Sequence, residues 1–378
     1  MRIGQPNILH IMQCANLGGM EKSTLEVMSA IRNLGCDNRL ISLNRIGGLG
    51  PLLEARGIPA VGLHYRRPAG LLSIPKMAKA FREGPAPDAI VMSGHNLSAF
   101  VALAGHACKN RILFVHFHHQ GVMPLWQWRL IYRAAMLVFP RIAFCADFIR
   151  EEAEKIYPPL RRVSITCPDC LRLPTLPSAS EKAAARMSLG IAESATVVGN
   201  AGWLIPRKRW DVFLHTAARI AAEVPQAVFL ACGDGPLRSD LFEQTRALGL
   251  QDRVRWLGWH QDLTDFYLSL DVLLFNSDWE AMGMTALEAS AHGVPVVASV
   301  VHGGLREVIH SEKEGFLIDR HDVDWLAERT LLLLRNPGLR ERKASACRSV
   351  LAERRDPQRN ALKLLELLDL NLLAKEIA

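Results

Sequence analysis

At 378 residues the chain has room for two domains, and with 49% hydrophobic and 22% charged residues it can bury a sizeable core, which excludes global disorder. A net charge of +7 permits attraction to phosphates, nucleic acid or an anionic membrane face; with no zinc-finger or RNP motif present, nucleic acid is not expected as a partner. No apolar run reaches the roughly 18 residues of a spanning helix, and the apolar part of Met1–Met12 is too short for a signal peptide, so a cytoplasmic protein is expected.

Asn7–Met12 reads as an apolar strand. It runs into Asn16-Leu-Gly-Gly-Met-Glu-Lys22 and an amphipathic helix to Leu34. A glycine turn between strand and helix can cradle a phosphate. A plain tight turn is the alternative, and the third glycine of the dinucleotide fingerprint is missing. Strands are expected at Arg39–Leu43, Ala60–Leu63, Ala89–Met92 and Ile112–Val115, with helices between them, including Leu72–Glu83 and Leu97–His106. Such alternation predicts an α/β fold with a doubly wound parallel sheet.

The Ile112 strand ends in His116-Phe-His118-His119. With no carboxylate or cysteine beside them in sequence, these histidines read as hydrogen-bonding a sugar rather than holding a metal. Met123–Phe139 is an aromatic helix on which Trp126, Leu130, Arg133 and Leu137 share a face, with Trp128 and Tyr132 beside it. It reads either as core packing or as a segment lying on an anionic membrane surface. The eight cysteines are scattered through apolar surroundings and read as reduced, buried thiols. Cys167-Pro-Asp-Cys170 has redox spacing but opens no helix.

A Pro-rich stretch, Pro168–Pro177, and polar Ser178–Glu181 place a domain boundary near 170–185. Thr196–Ala201 is expected as a strand, followed by Gly202-Trp-Leu-Ile-Pro-Arg-Lys-Arg209 and a helix from Trp210. Arg207, Lys208 and Arg209 before that helix suit a phosphate, although a solvated basic loop fits as well. Ala227–Cys232 and Arg253–Leu257 are further strands. Asp271–Phe275 is a strand, Asn276–Met284 a polar loop, Thr285–His292 a helix, and Val296 opens the next strand. That loop lies at a strand's carboxyl end, where open α/β sheets bind ligands. It carries Glu280, with Glu288 a turn into the helix, and Gly283, Met284 and Thr285 set backbone N–H groups at the helix N-terminus. Donors for a diphosphate between acceptors for hydroxyls suit a nucleotide sugar; two incidental acids in a buried unit is the plainer alternative. A helix is expected from Gly304 through Ile309 and a strand at Gly315–Ile318. Asp322-Val-Asp324 reads as a helix cap, not a metal site. Ala361–Ile377 is an amphipathic helix.

Gly18 and Gly19 followed by Glu21-Lys22, the Glu280-x7-Glu288 pair, GDGPLRSDL from Gly233, DRVRWLG from Asp252 and EASAHGVPVVAS from Glu288 together resemble the family 4 retaining glycosyltransferases, the glycosyl transferases group 1. The resemblance is strong over 196–320 and loose before 170. It implies the GT-B fold: two Rossmann-like doubly wound domains facing a central cleft, with a C-terminal helix packing across them. The domains would be 1–175 for the acceptor and 176–355 for the nucleotide sugar, with 356–378 as the C-terminal helix, able to return to the first domain. The implied activity moves a sugar from a nucleotide-diphosphate sugar to a hydroxyl of a glycan or lipid-linked acceptor, without metal or cofactor. A nucleotide-sugar epimerase and a non-catalytic binding protein of the same fold are the alternatives. Location would be cytoplasmic, peripheral on the inner membrane face if the aromatic helix binds lipid.

By the same resemblance Glu280 binds donor-sugar hydroxyls and Met282, Gly283, Met284 and Thr285 present backbone to sugar and diphosphate. Glu288 holds the ribose. Lys208 binds phosphate with help from Arg207 or Arg209, and Gly18 and Gly19 lie against the diphosphate. His118, or His116 in the other register, bonds the sugar near its anomeric carbon. Asp169 and Cys170 stand where the family has Asn-Gly. Trp203 stands where the family commonly has an arginine that neutralises the leaving diphosphate, which shifts that task to Lys208 and its neighbours.

Overall fold

The computed structural model describes residues 5–65, 70–117, 119 and 123–370. The chain forms two compact units, Met1–Cys170 with Arg355–Ala378, and Leu171–Arg354.

The first unit holds strands β1 (Asn7–Met12), β2 (Asp37–Ser42), β3 (Ala60–Gly62), β4 (Ala89–Ser93), β5 (Arg111–Val115), β6 (Arg141–Phe144) and β7 (Ser164–Thr166). They pair in parallel in the order β3-β2-β1-β4-β5-β6-β7. Parallel strands need helical crossovers, and helices on both faces force the strands to be apolar throughout. β4 and β5 are accordingly buried along their whole length. The crossovers are α1 (Gly19–Asn33), α2 (Gly50–Ala55), α3 (Ile74–Arg82), α4 (Leu97–Ala104), α5 (Leu125–Val138) and α6 (Asp147–Ile156). The aromatic helix is core on one face and exposed on the other. Trp128, Ile131, Tyr132 and Ala135 are core, whereas Leu125, Trp126, Leu130 and Leu137 are exposed beside Arg129 and Arg133.

The second unit holds β8 (Val197–Ala201), β9 (Val228–Cys232), β10 (Val254–Gly258), β11 (Val272–Glu280), β12 (Val296–Gly303) and β13 (Phe316–Ile318), all parallel, in the order β10-β9-β8-β11-β12-β13. Its helices are α7 (Ala179–Ser188), α8 (Trp210–Glu223), α9 (Arg238–Ala247), α10 (Thr264–Ser269), α11 (Met284–Ala291), α12 (Val323–Arg335) and α13 (Pro337–Arg354). Trp210, Phe213, Phe229, Leu274 and Val297 are among the residues that pack the core. In this order the winding reverses between β8 and β11, which opens the crevice where such sheets take ligands.

Two sequence expectations are corrected here. β11 does not end at Phe275 but continues to Glu280, paired residue for residue with β12 through Glu280 and Gly303. Asn276 and Ser277 looked like loop because they are polar, yet both are fully buried. Both side chains bond inside: Ser277 Oγ donates to the Arg207 carbonyl (3.0 Å), and Asn276 Oδ1 accepts from Ser299 Oγ (3.0 Å), although the Asn276 amide nitrogen has no partner among the described residues. The helix expected from Gly304 to Ile309 is one 3₁₀ turn, Gly304–Glu307, because β12 runs to Gly303 and uses the preceding residues. Strand β6 and helix α6 were missed, β6 because four residues carry too little periodicity to stand out.

The last helix, α14 (Pro357–Leu367), belongs to the first unit and packs on α1, burying Asn360, Ala361, Leu364 and Leu365. The amphipathic helix expected over Ala361–Ile377 instead starts at Pro357 and stops at Leu367, where the chain turns at Leu368; positions from 371 onward lie outside the described residues.

Candidate functional site

In the second unit the crevice is walled by the loop after β8 on one side and the end of β11 on the other. The chain leaves β8 at Gly202 and makes a 3₁₀ turn at Pro206–Lys208. Arg209 then takes a left-handed conformation (φ 44°), rare for a side chain with a Cβ. Ion pairs hold it there. Arg209 donates to both carboxylate oxygens of Asp211 (3.0 and 2.7 Å) and to Asp278 on β11 (3.3 Å). Asp278 is fixed in turn by His321 Nε2 (2.9 Å), whose Nδ1 meets Ser299 Oγ (2.8 Å). Ser299 is fully buried, so this serine–histidine–aspartate series anchors the strand and offers no nucleophile.

The anchored turn delivers Lys208 and Arg207 to Glu280. The Lys208 ammonium donates to Glu280 Oε1, and Arg207 Nη1 donates to the same oxygen (3.2 Å) and to the Trp279 carbonyl (3.0 Å). Glu280 is only 8% exposed. Burial alone would raise its carboxyl pKa, but the Lys208 and Arg207 charges, with hydrogen bonds from Lys208 and Ser277, outweigh that and hold it below the ordinary range. Gly202 leaves open the space beside the Lys208 stem; a Cβ there would lie 3.6 Å from Lys208 Cε.

Past Glu280 the chain turns through Ala281, Met282 and Gly283 into α11. Gly283 is left-handed (φ 73°), and a Cβ on it would press on the Phe275 ring at 3.2 Å, so glycine is required twice over. No side chain caps α11, leaving backbone donors of Met284 and Thr285 to face the crevice at the positive end of the helix. Met282 is buried and can offer only its backbone. One turn on, Glu288 accepts a hydrogen bond from the Tyr267 hydroxyl (2.6 Å). Burial and the Glu288 charge push the Tyr267 phenol well above its ordinary pKa, so it stays a donor. The second unit thus brings together Arg207, Lys208, Glu280, Met282, Gly283, Met284 and Thr285. Glu288 stands one helical turn away. Asp211, Asp278, His321 and Tyr267 escaped the sequence reading, because their roles depend on contacts between distant segments.

In the first unit, Gly18 and Gly19 open α1. A Cβ at Gly18 would lie 2.5 Å from Glu21 Oε2, so the glycine admits the folded-back Glu21 carboxylate. Glu21 also accepts from the Cys14 thiol (3.3 Å). His118 lies outside the described residues. His116 Nδ1 meets Asp169 Oδ1 at 2.6 Å, both side chains being buried, and the ring stacks on Phe114 at 4.3 Å. His119 is structural: it is bonded to Glu152 (2.8 Å) and Tyr132 and packed edge-on to Trp128. Burial pushes the Cys167 thiol up to about 12 and Cys170 higher still, which suits inert packing groups. Asp322 accepts from the Trp325 N–H (3.0 Å) as an N-cap, and Asp324 pairs with Arg219 (3.1 Å). Among the described residues, no three His, Cys, Asp or Glu side chains converge on a common metal position.

The chain is similar to known glycosyltransferases in sequence and in fold. Residues 181–350 match the family described as Glycosyl transferases group 1, and residues 17–167 match Glycosyltransferase Family 4. The chain belongs to this glycosyltransferase family, and its fold is GT-B. It is 38% identical over 140 residues to a 2-deoxystreptamine N-acetyl-D-glucosaminyltransferase of Streptomyces fradiae, covering 36% of this chain and 33% of that protein. It is 32% identical over 139 residues to an Escherichia coli UDP-Gal:alpha-D-GlcNAc-diphosphoundecaprenol alpha-1,3-galactosyltransferase, covering 36% of each. The matched part is thus about a third of the length of these curated relatives. In fold it is similar to Anabaena Alr3699/HepE, solved with UDP and glucose (TM-score 0.81, 21% identity, 96% of this chain and 99% of that one). It is also similar to WaaG, a glycosyltransferase involved in lipopolysaccharide biosynthesis (TM-score 0.71, 16% identity, 96% and 99%).

Proposed function

We propose that the protein is a retaining glycosyltransferase that moves a sugar from a nucleotide-diphosphate sugar to a hydroxyl of a glycan or lipid-linked acceptor, in cell-surface polysaccharide or glycolipid synthesis. The observation that carries this reading is the Arg207–Lys208–Glu280 cluster beside the uncapped start of α11, with Glu288 one turn further on. Breaking a sugar–diphosphate bond builds negative charge on the leaving group. Fixed cations and helix N–H groups meet that charge without reorganising. Lys208 and Arg207 exchange Glu280 for the diphosphate when the donor arrives, and Glu280 is then free to accept from sugar hydroxyls. Glu288, held by Tyr267, takes the ribose hydroxyls. Side-chain cations supply the neutralisation, so the reaction is expected to run without metal. The first unit is proposed to take the acceptor, and the family resemblance assigns His118 the hydrogen bond to the donor sugar. The UDP-bound Anabaena protein of the same fold supports a nucleoside-diphosphate donor.

The test is calorimetry with UDP, GDP and ADP, followed by product analysis with that donor. Glu288→Ala abolishes nucleotide binding on this reading, and undiminished affinity removes the assignment. An epimerised donor in the absence of acceptor would instead mark an epimerase. Trp203, in the place of the family's usual arginine, favours a second reading as a nucleotide-binding protein without turnover, supported if nucleotide shifts the melting temperature but no acceptor is glycosylated.

A cytoplasmic protein peripheral on the membrane is the matching location. The exposed Trp126, Leu130 and Leu137 beside Arg129 and Arg133 support it. Failure to sediment with anionic vesicles at low salt would remove it. Among the described residues no helix is long and apolar enough to cross a membrane.

A further inference from the structure

Two tryptophans of the second unit are exposed together. Trp203 follows β8 and Trp259 follows β10; they are 52% and 49% exposed, with ring centroids 4.6 Å apart and planes inclined by 34°. These strands are not neighbours, since β9 lies between them. Strands one apart in a sheet are about 10 Å from each other, so the two rings must meet across the loop that follows β9.

That loop is Gly233-Asp-Gly235, and its glycines make the meeting possible. A Cβ on Gly233 would sit 1.9 Å from the Gly202 carbonyl oxygen, and one on Gly235 would sit 2.6 Å from the Leu204 carbonyl oxygen. Backbone hydrogen bonds stitch the three loops: Gly202 N–H to Cys232 O (2.9 Å), Leu204 N–H to Asp234 O (2.9 Å) and Gly233 N–H to Gly258 O (2.8 Å). The Trp203 carbonyl is further held by Trp210 Nε1 (3.0 Å). The aromatic pair is therefore preorganised on a rigid floor, with about half of its surface open at the carboxyl ends of the strands.

A line of contact runs from the crevice to this pair. Lys208 leads from Glu280 to Gly202, whose next residue is Trp203. On the far side the Cys232 thiol donates to the Gly258 carbonyl (3.4 Å), next to Trp259. The cation suited to a diphosphate thus shares the loop after β8 with one ring of an exposed aromatic pair. The remaining part of a nucleoside diphosphate is its planar base, which stacks well on aromatic faces whatever its identity. We infer that Trp203 and Trp259 form a platform on which the donor's nucleobase stacks. The inference rests on the nucleotide-sugar reading of the same crevice and adds its base-binding element.

The experiment is calorimetry on the full chain with UDP, GDP and ADP, and with inorganic pyrophosphate as a probe of the phosphate contacts alone. Trp203→Ala and Trp259→Ala each weaken nucleotide binding by about tenfold, the range measured for aromatic stacks, while pyrophosphate affinity is unchanged. Trp203→Phe retains most of the affinity, which separates loss of a stack from loss of fold. If wild-type protein binds a nucleotide and the alanine variants bind it equally well, the platform is overturned and the donor reading stands. A parallel loss of pyrophosphate binding in the alanine variants also overturns it, since the rings would then act through the phosphate site. Absence of nucleotide binding by the wild-type protein removes the donor reading and the platform with it.

Discussion

Replacing Lys208 by methionine keeps the stem and removes the charge, which isolates what the ammonium does. Glu280 would then be buried with Arg207 as its remaining cation, at 3.2 Å. Two unit charges in contact attract by about 5 kcal/mol at an effective dielectric of ~20. Desolvation of the partners cancels much of that, several kcal/mol per ion. With Arg207 still present, a net loss of ~1–3 kcal/mol is expected, or roughly 3–10 °C in melting temperature for a unit of this size. The loss depends on pH with a definite sign. The folded Glu280 carboxyl lies below its ordinary value of 4.5, so its contribution is complete above that value and disappears as pH falls through the folded one. The gap between wild type and Lys208→Met in thermal melts should therefore be full at pH 7 and shrink toward pH 4. Glu280→Gln should also reduce the cost of Lys208→Met in a double-mutant cycle. On donor turnover, loss of one fixed donor of this kind costs ~10²–10³-fold in kcat. A gap that is the same at pH 7 and pH 4, or under 1 °C at both, would refute the charge partnership, whatever the effect on turnover.

Arg209→Ala removes the pairs with Asp211 and Asp278 and leaves a side chain at φ 44°, so it should destabilise the second unit by ~1–3 kcal/mol in chemical denaturation. Arg209→Gly, free of the backbone strain, should lose less than Arg209→Ala; the opposite order would show that the left-handed turn is not what the ion pairs hold. His10 is wholly buried, neither ring nitrogen has a partner among the described residues, and burial lowers its pKa from 6.5 to about 3. Its folded value is depressed, so the unfolded chain takes up the extra proton and stability falls as pH drops below 6.5, by up to ~1.4 kcal/mol per unit. Urea denaturation of His10→Met between pH 7 and pH 5 should show a flatter profile than wild type; identical slopes would sink the assignment. Cys36, Cys145, Cys167, Cys170, Cys232 and Cys347 are buried, and Cys14 and Cys108 only partly so. A chromogenic disulfide reagent at pH 8 should label at most two thiols before denaturation, and rapid reaction of Cys167 or Cys170 would contradict their burial.

The sequence by itself determined the alternation of elements. Parallel strands buried on both faces must be short apolar runs, and the helices between them must start and stop on caps and glycines; both patterns are local. For the same reason Gly283, Met284, Thr285 and Glu288 were legible as a strand–helix junction, since a left-handed glycine and an uncapped helix start are properties of a few adjacent residues. Asn276 and Ser277 show where local reading fails. Their polarity signals loop, but their partners are Ser299 and the Arg207 carbonyl, supplied by distant segments. Hydrogen-bond satisfaction is not encoded in polarity alone. Only the tertiary structure decided that Lys208 and Arg207 converge on one oxygen of Glu280, 72 and 73 residues on. It also decided that Arg209 is pinned to β11, that Tyr267 secures Glu288, and that Trp203 and Trp259 meet across an intervening strand. Each of these contacts follows from strand order, and strand order is set by how the whole sheet packs.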